Sequence, residues 1–162
     1  MKLYIKNNLI SLRGSSSVKD ENKQDVFIVK GTFFSITHKK RIKDLEGNLL
    51  YKVRNKWFQF ITHSAYVYDG KGNKVAKVKR KFGFKNVFIV QGYQEEISIE
   101  GNFMSWTLDI CRNGEIVGTV RRAIDWTDSF VLETDTEQDG AFLVALVIAI
   151  DNIFDDMSNS NR

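Results

Sequence analysis

The sequence predicts a mainly β fold, a closed barrel or a sandwich by its strand spacing and, with its C-terminal hydrophobic helix, most simply a closed antiparallel β-barrel in two pseudo-repeated halves that encloses that helix. Three observations carry this. Segments of turn followed by strand recur in one register, a VFIV run occurs twice, and the longest uninterrupted apolar run, Ala141 to Ile150, falls near the end of the chain. The 162 residues suffice for one core, since two would leave about 80 residues each. We expect a single domain over 1–157 and a polar tail at 158–162.

In chain order, the N-terminal MKLYIKNNLISLRG is interrupted by Lys6, Asn7 and Asn8, which does not suit a secretory leader. DVFIVKG (25–31) is a strong strand run, and it returns as NVFIVQG (86–92), 61 residues on. The hairpins are DLEGNLLYKVRNKWF (44–58), DGKGNKVAKVKRKFGF (69–84) and DICRNGEIVGTVRRAIDW (109–126). In each, a Gly at 47, 72 or 114 is followed six residues later by Val53, Val78 or Val120, and then by a basic residue. Apolar and polar positions alternate after the Gly, the period of a half-buried strand, and Gly beside Asn or Asp supplies the positive φ of a tight turn. The echoes divide the chain into halves of about 1–68 and 69–134, whose closure would leave few free edges.

The last element, GAFLVALVIAIDNIFDDM, reads as a helix over about 140–155, apolar on every face from Ala141 to Ile150. Such a helix must be surrounded by protein or by lipid, and its ten apolar residues fall short of the about 20 that span a bilayer. The simplest arrangement is a barrel plugged by its own helix, with no transmembrane segment.

Composition narrows the function classes. Hydrophobic residues at 43% exclude a disordered chain, and the absence of proline excludes polyproline ligands and cis-proline turns. The lone Cys111 cannot form an internal disulfide, so a cytoplasmic setting, including the periphery of a membrane, is expected. The net charge of +4 hides a segregation: +3 over residues 1–36, +11 over 37–85 and −10 over 86–162. Either the basic segment meets an anionic partner, or the folded halves interleave and the signs mix on one surface.

The DxxG hairpins that end in VRNKWF and VKRKFGF, and above all the terminal VLETDTEQDGAFLVALVIAIDNIFDD, resemble the LURP-one-related family. This family has the tubby C-terminal-like fold, shared with phospholipid scramblases. The resemblance covers nearly the whole chain and implies a barrel of about twelve strands around a central helix. It also implies a binding or scaffold role, since the related tubby domains hold phosphoinositides on basic barrel-surface residues and scramblases act at membranes. The chain departs from the scramblases in lacking a cysteine cluster for palmitoylation.

The best binding candidate is a pair of basic rows. On a strand, Lys77, Lys79 and Lys81 share one face and Val78 and Phe82 the other, with Arg80 and Lys85 adding charge; Lys52, Arg54 and Lys56 form a similar row on the first hairpin, preceded by Lys39, Lys40, Arg41 and Lys43. Two adjacent rows would hold phosphates by charge-assisted contacts, so anionic lipid headgroups or a phosphorylated ligand rank as partners, unless the rows are only a solvated wall. Another protein is a further candidate. Nucleic acid ranks lower: Trp57, Phe58, Phe82 and Phe84 interleave with the cations, but a barrel turns about half of such aromatics inward, and the second half is acidic.

Catalytic signatures are weak. His38 and His63 lie outside any nucleophile, metal or phosphate motif, and an enzyme at a barrel mouth using either as acid or base is the rival reading. Cys111 reads as a structural thiol, and GKGNK (70–74) as a hairpin turn rather than a phosphate loop. Asp135, Glu137 and Asp139 precede the helix and suit its N-terminal cap and dipole. They also echo a calcium loop, although the twelfth position, where a bidentate Glu belongs, is Leu146. We expect no cofactor.

Overall fold

The computed structural model describes residues 1–6, 14–31, 37–57, 63–81, 83–84, 87–124, 129–135, 137 and 139–160, with side chains as far as Met157. Its elements are β1 (Lys2–Lys6), β2 (Ser15–Lys19), β3 (Asp25–Gly31), β4 (Lys40–Lys43), β5 (Leu49–Asn55), β6 (Ser64–Asp69), β7 (Lys74–Arg80), β8 (Val87–Gln91), β9 (Ile97–Asn102), β10 (Thr107–Arg112), β11 (Glu115–Arg122), β12 (Ser129–Thr134) and α1 (Gly140–Ser160). Every strand pairs antiparallel with its sequence neighbours, and β1 pairs with β12 through five residues, Lys2↔Glu133 to Lys6↔Ser129, which closes the barrel.

This meander has a direct consequence for charge. Because the strands follow one another round the barrel, the halves do not interleave, and the basic and acidic stretches of the chain become different sides of one wall. The hairpins at Gly47 and Gly114 join β4 to β5 and β10 to β11, six strands apart, and so face each other across the barrel. The VFIV runs instead fall on β3 and β8, which run in opposite directions along the barrel, so that echo is a likeness of strand composition and not of position.

The connections alternate between two ends. At one, here the turn end, the hairpins are tight. Asp44 accepts from the Asn48 backbone N–H and side-chain amide, both at 2.8 Å, and Asp69 accepts from the same groups of Asn73 at 2.8 and 2.9 Å. The hydrogen bond from each Asn side chain is the main reason both carboxyls titrate below the ordinary range. Gly47 and Gly72 follow at φ 92° and 91°, the left-handed conformation that these turns require. The other end, the loop end, carries the connections after β1, β3, β5, β7, β9 and β11, all of them longer except the one after β9.

Helix α1 enters at the turn end and runs through the barrel. Asp139 is its N-cap, its carbonyl accepting from the Leu143 N–H at 2.9 Å, and every residue from Phe142 to Ile153 is buried. Inward positions of the strands, such as Val53, Val67, Val78 and Leu132, meet it from all sides, and Phe142 stacks on Tyr93 at 4.5 Å between ring centroids. The helix continues to Ser160, past the expected end near 155 and into the segment expected as a polar tail. No Gly or Pro lies between Asp151 and Ser160 to stop it.

Candidate functional site

The basic rows stand on the outer wall over β4 to β7. Alternation turns Val53, Ala65, Val67, Ala76 and Val78 inward, which leaves Lys52 and Arg54 of β5, Tyr66 and Tyr68 of β6, and Lys77 and Lys79 of β7 outside. The rows are not adjacent as expected. Strand β6 lies between them, with Tyr68 opposite Lys52, and with Tyr66 opposite both Arg54 and Lys77. With strands about 4.8 Å apart, the two rows sit about 10 Å from each other across a tyrosine strip.

The tyrosines organise the cations. Arg54 donates from Nε and Nη2 to the Tyr68 hydroxyl at 3.1 and 2.8 Å, Lys52 Nζ lies 4.7 Å from the Tyr68 ring centroid, and Lys74 Nζ lies 5.0 Å from that of Tyr66. None of Lys52, Arg54, Lys77 and Lys79 ion-pairs with an Asp or Glu among the described residues. On the opposite side, Arg121 pairs with Asp109 at 2.8 Å and Arg112 with Asp139 at 2.6 Å and Glu95 at 3.3 Å. The wall continues across β4 and β3, where Arg41 stands opposite Lys52 and Lys30 opposite Arg41. The tyrosine strip was missed in the sequence, although the alternation of SAYVYD (64–69) gave the signal.

Other predicted cations lie elsewhere. Lys56 and Lys81 are exposed just past the ends of β5 and β7, and Lys85 and the aromatics Phe58 and Phe82 lie outside the described residues. Arg80 continues the inward set of Ala76 and Val78: its guanidinium lies 5.8 Å from the centroid of the fully buried Phe88 ring, so it leaves the row. Lys40, taken from sequence as part of a surface cluster, is buried at 5% exposure, because its strand position faces the last turns of α1. Burial lowers its pKa, opposed by the charges of Asp151 and Asp155. Asp151 is raised well above the carboxylate range by its own burial first, then by repulsion from Asp155, with Lys40 opposing.

Around this pair the loop end holds α1 by polar contacts. His63 Nδ1 lies 2.9 Å from Asp156 Oδ2 and His38 Nδ1 3.3 Å from Asp155 Oδ2. Asn152 donates to the His38 carbonyl at 2.8 Å, and Asn55 donates to the Asn152 carbonyl at 3.0 Å. His38 takes φ 48°, a left-handed conformation that the helix contacts hold from two sides. Both histidines thus meet a carboxylate, the geometry of an oriented base, and each also ties a rim loop to the helix.

The remaining candidates are accounted for by local structure. The Asp139 carboxylate binds Arg112, Asp135 and Glu137 are exposed, and among the described residues no group of three or more His, Cys, Asp or Glu is placed to hold a metal ion. Cys111 is half-buried, and burial, with Glu100 and Asp109 nearby, raises its thiol pKa, which opposes thiolate formation. GKGNK is the β6–β7 turn. A concavity of about 220 Å³ opens at the turn end between Met1, Gly118 and Thr134.

A family model described as LURP-one-related matches residues 1–151. The uncharacterized protein YxjI of Bacillus subtilis (strain 168) is 24% identical over 154 residues, 94% of this chain and 93% of that one. The X-ray structure of an Arabidopsis thaliana protein superposes with a TM-score of 0.65 at 18% identity, covering 97% of this chain and 90% of the other. That likeness is one of fold.

Proposed function

The chain belongs to the LURP-one-related family, and from that premise we propose that it is a non-enzymatic binding domain whose basic wall holds phosphate-bearing anions, in the first place the headgroups of anionic phospholipids at the cytoplasmic face of a membrane. The observation that carries this reading is the wall of β5, β6 and β7. Two rows of cations with no acidic partner among the described residues flank tyrosines that can donate hydrogen bonds, and the acidic residue of these strands, Asp69, is spent on its turn. A cation wall held for solubility alone does not call for hydroxyls aligned between its rows. Multiple charge-assisted contacts to phosphate give binding that weakens with salt.

Sedimentation with vesicles at low and at about 0.15 M salt tests it. Binding to vesicles containing phosphatidylserine or phosphoinositide, and none to phosphatidylcholine alone, is expected. Binding of soluble inositol hexakisphosphate in calorimetry, without vesicle binding, would assign the wall to a free phosphorylated ligand. Recovery in the supernatant under every condition, with no calorimetric binding of inositol hexakisphosphate, would overturn the proposal.

A second reading, acid–base catalysis at the loop end, is favoured by the His63–Asp156 and His38–Asp155 contacts. We rank it below binding because each histidine also fastens a loop to α1, a role that accounts for the contacts without a substrate.

A further inference from the structure

The two ends of the barrel differ in chemistry. At the loop end, four consecutive connections each present one large apolar side chain: Trp57 after β5, Phe84 after β7, Met104 after β9 and Ile124 after β11, exposed by 61%, 54%, 87% and 99%. Exposed cations stand at the same end on Lys6, Lys56, Lys81 and Arg122. Trp57 follows Lys56 directly, and Lys81 Nζ lies 4.8 Å from the Phe84 ring centroid. Among the described residues, Asp151, Asp155 and Asp156 at this end are buried or half-buried against Lys40, His38 and His63, while Asp125 and Asp128 follow Ile124 in the sequence. The turn end also exposes Leu45 and Ile116, but these stand beside Glu46 and Glu115.

We infer that the loop end is a membrane-docking rim: Trp57, Phe84, Met104 and Ile124 enter the headgroup region of an anionic bilayer while Lys56 and Lys81 meet its phosphates. This rests on the reading of the wall as a headgroup site and fixes how the barrel stands on the membrane, because Trp57 and Phe84 cap the two strands that carry the cation rows. The chemistry favours lipid over a protein partner. Bulky apolar tips alternating with lysine suit an interface where rings are buried and ammonium groups remain at the phosphates, whereas the cores of protein interfaces are depleted in lysine. The acidic turn end would be repelled by the same surface, so only one end of the barrel fits.

The test uses the whole chain and vesicles of phosphatidylcholine with about one third phosphatidylserine. Burying even one large apolar side chain shifts affinity by about tenfold or more, so Trp57→Ser/Phe84→Ser should bind at least tenfold more weakly. Brominated lipid should quench the fluorescence of the wild type more than that of Trp57→Phe. If the first variant melts early, Met104→Ser/Ile124→Ser, at the two most exposed positions, replaces it and should weaken binding in the same way. Wild-type affinity in these variants, with no bromine quenching assigned to Trp57, would overturn the rim and leave the wall intact. Absence of wild-type binding to any vesicle would overturn both and turn the rim toward a protein.

Discussion

Replacing Val147 by Asp should collapse the domain. Val147 is 3% exposed at the middle of α1, with buried helix neighbours on both sides and the barrel wall around it. Losing its transfer from water costs about 1.5 to 3 kcal/mol, and an unpaired carboxylate in that position adds several more, against a total stability of about 5 to 15 kcal/mol for a domain. Val147→Ala separates the two contributions, removing the methyl groups alone for about 2 kcal/mol, or about 4 to 8 °C in a chain of this size. Thermal unfolding followed by circular dichroism reads both. The alanine variant should melt cooperatively at a modestly lower temperature, and the aspartate variant should be insoluble or show no cooperative transition. An aspartate variant that melts cooperatively within about 5 °C of wild type would show that α1 does not plug the barrel.

The buried Lys40 and Asp151 yield two further predictions. Removing the cation, as in Lys40→Met, should destabilise the domain in chemical denaturation at neutral pH, whereas Lys40→Met/Asp151→Leu should recover that loss, because the desolvation of both groups disappears. A double variant less stable than the single would refute the pairing. Since the Asp151 carboxyl is raised in the folded chain, its contribution to stability is full below the unfolded carboxylate range and is lost as pH rises through the folded value. Asp151→Asn should therefore flatten the decline of melting temperature between acid and neutral pH, and an unchanged profile would contradict the assignment.

Much of the barrel is legible in the sequence because its cause is local. The alternation after Gly47, Gly72 and Gly114 fixes strand faces residue by residue, and an all-apolar helix at 141–150 has nowhere to go but inside. What sequence hides is what depends on neighbours in space. The rows of Lys52 and Lys77 read as adjacent because nothing in one strand's pattern says which strand will stand beside it; the register of β6 inserts Tyr66 and Tyr68 between them. Lys40 looks like its neighbours Lys39 and Arg41 until the barrel closes and its side faces Asp151. The histidine contacts with Asp155 and Asp156 join residues more than ninety positions apart and leave no local trace.

If the cation rows, and not net charge, bind anionic headgroups, a reversal on a row outweighs the same reversal elsewhere on the barrel. Vesicle sedimentation of Lys77→Glu beside Lys2→Glu, which carries its reversal on β1 next to Glu133, compares the two at the same net charge, since each lowers it by two. At about 1 kcal/mol per charge near an anionic surface, reversal on the rows should weaken binding by at least tenfold, while Lys2→Glu stays close to wild type. Equal losses in both variants would assign the binding to net charge, and no loss in either would rule out the cation rows as the headgroup site.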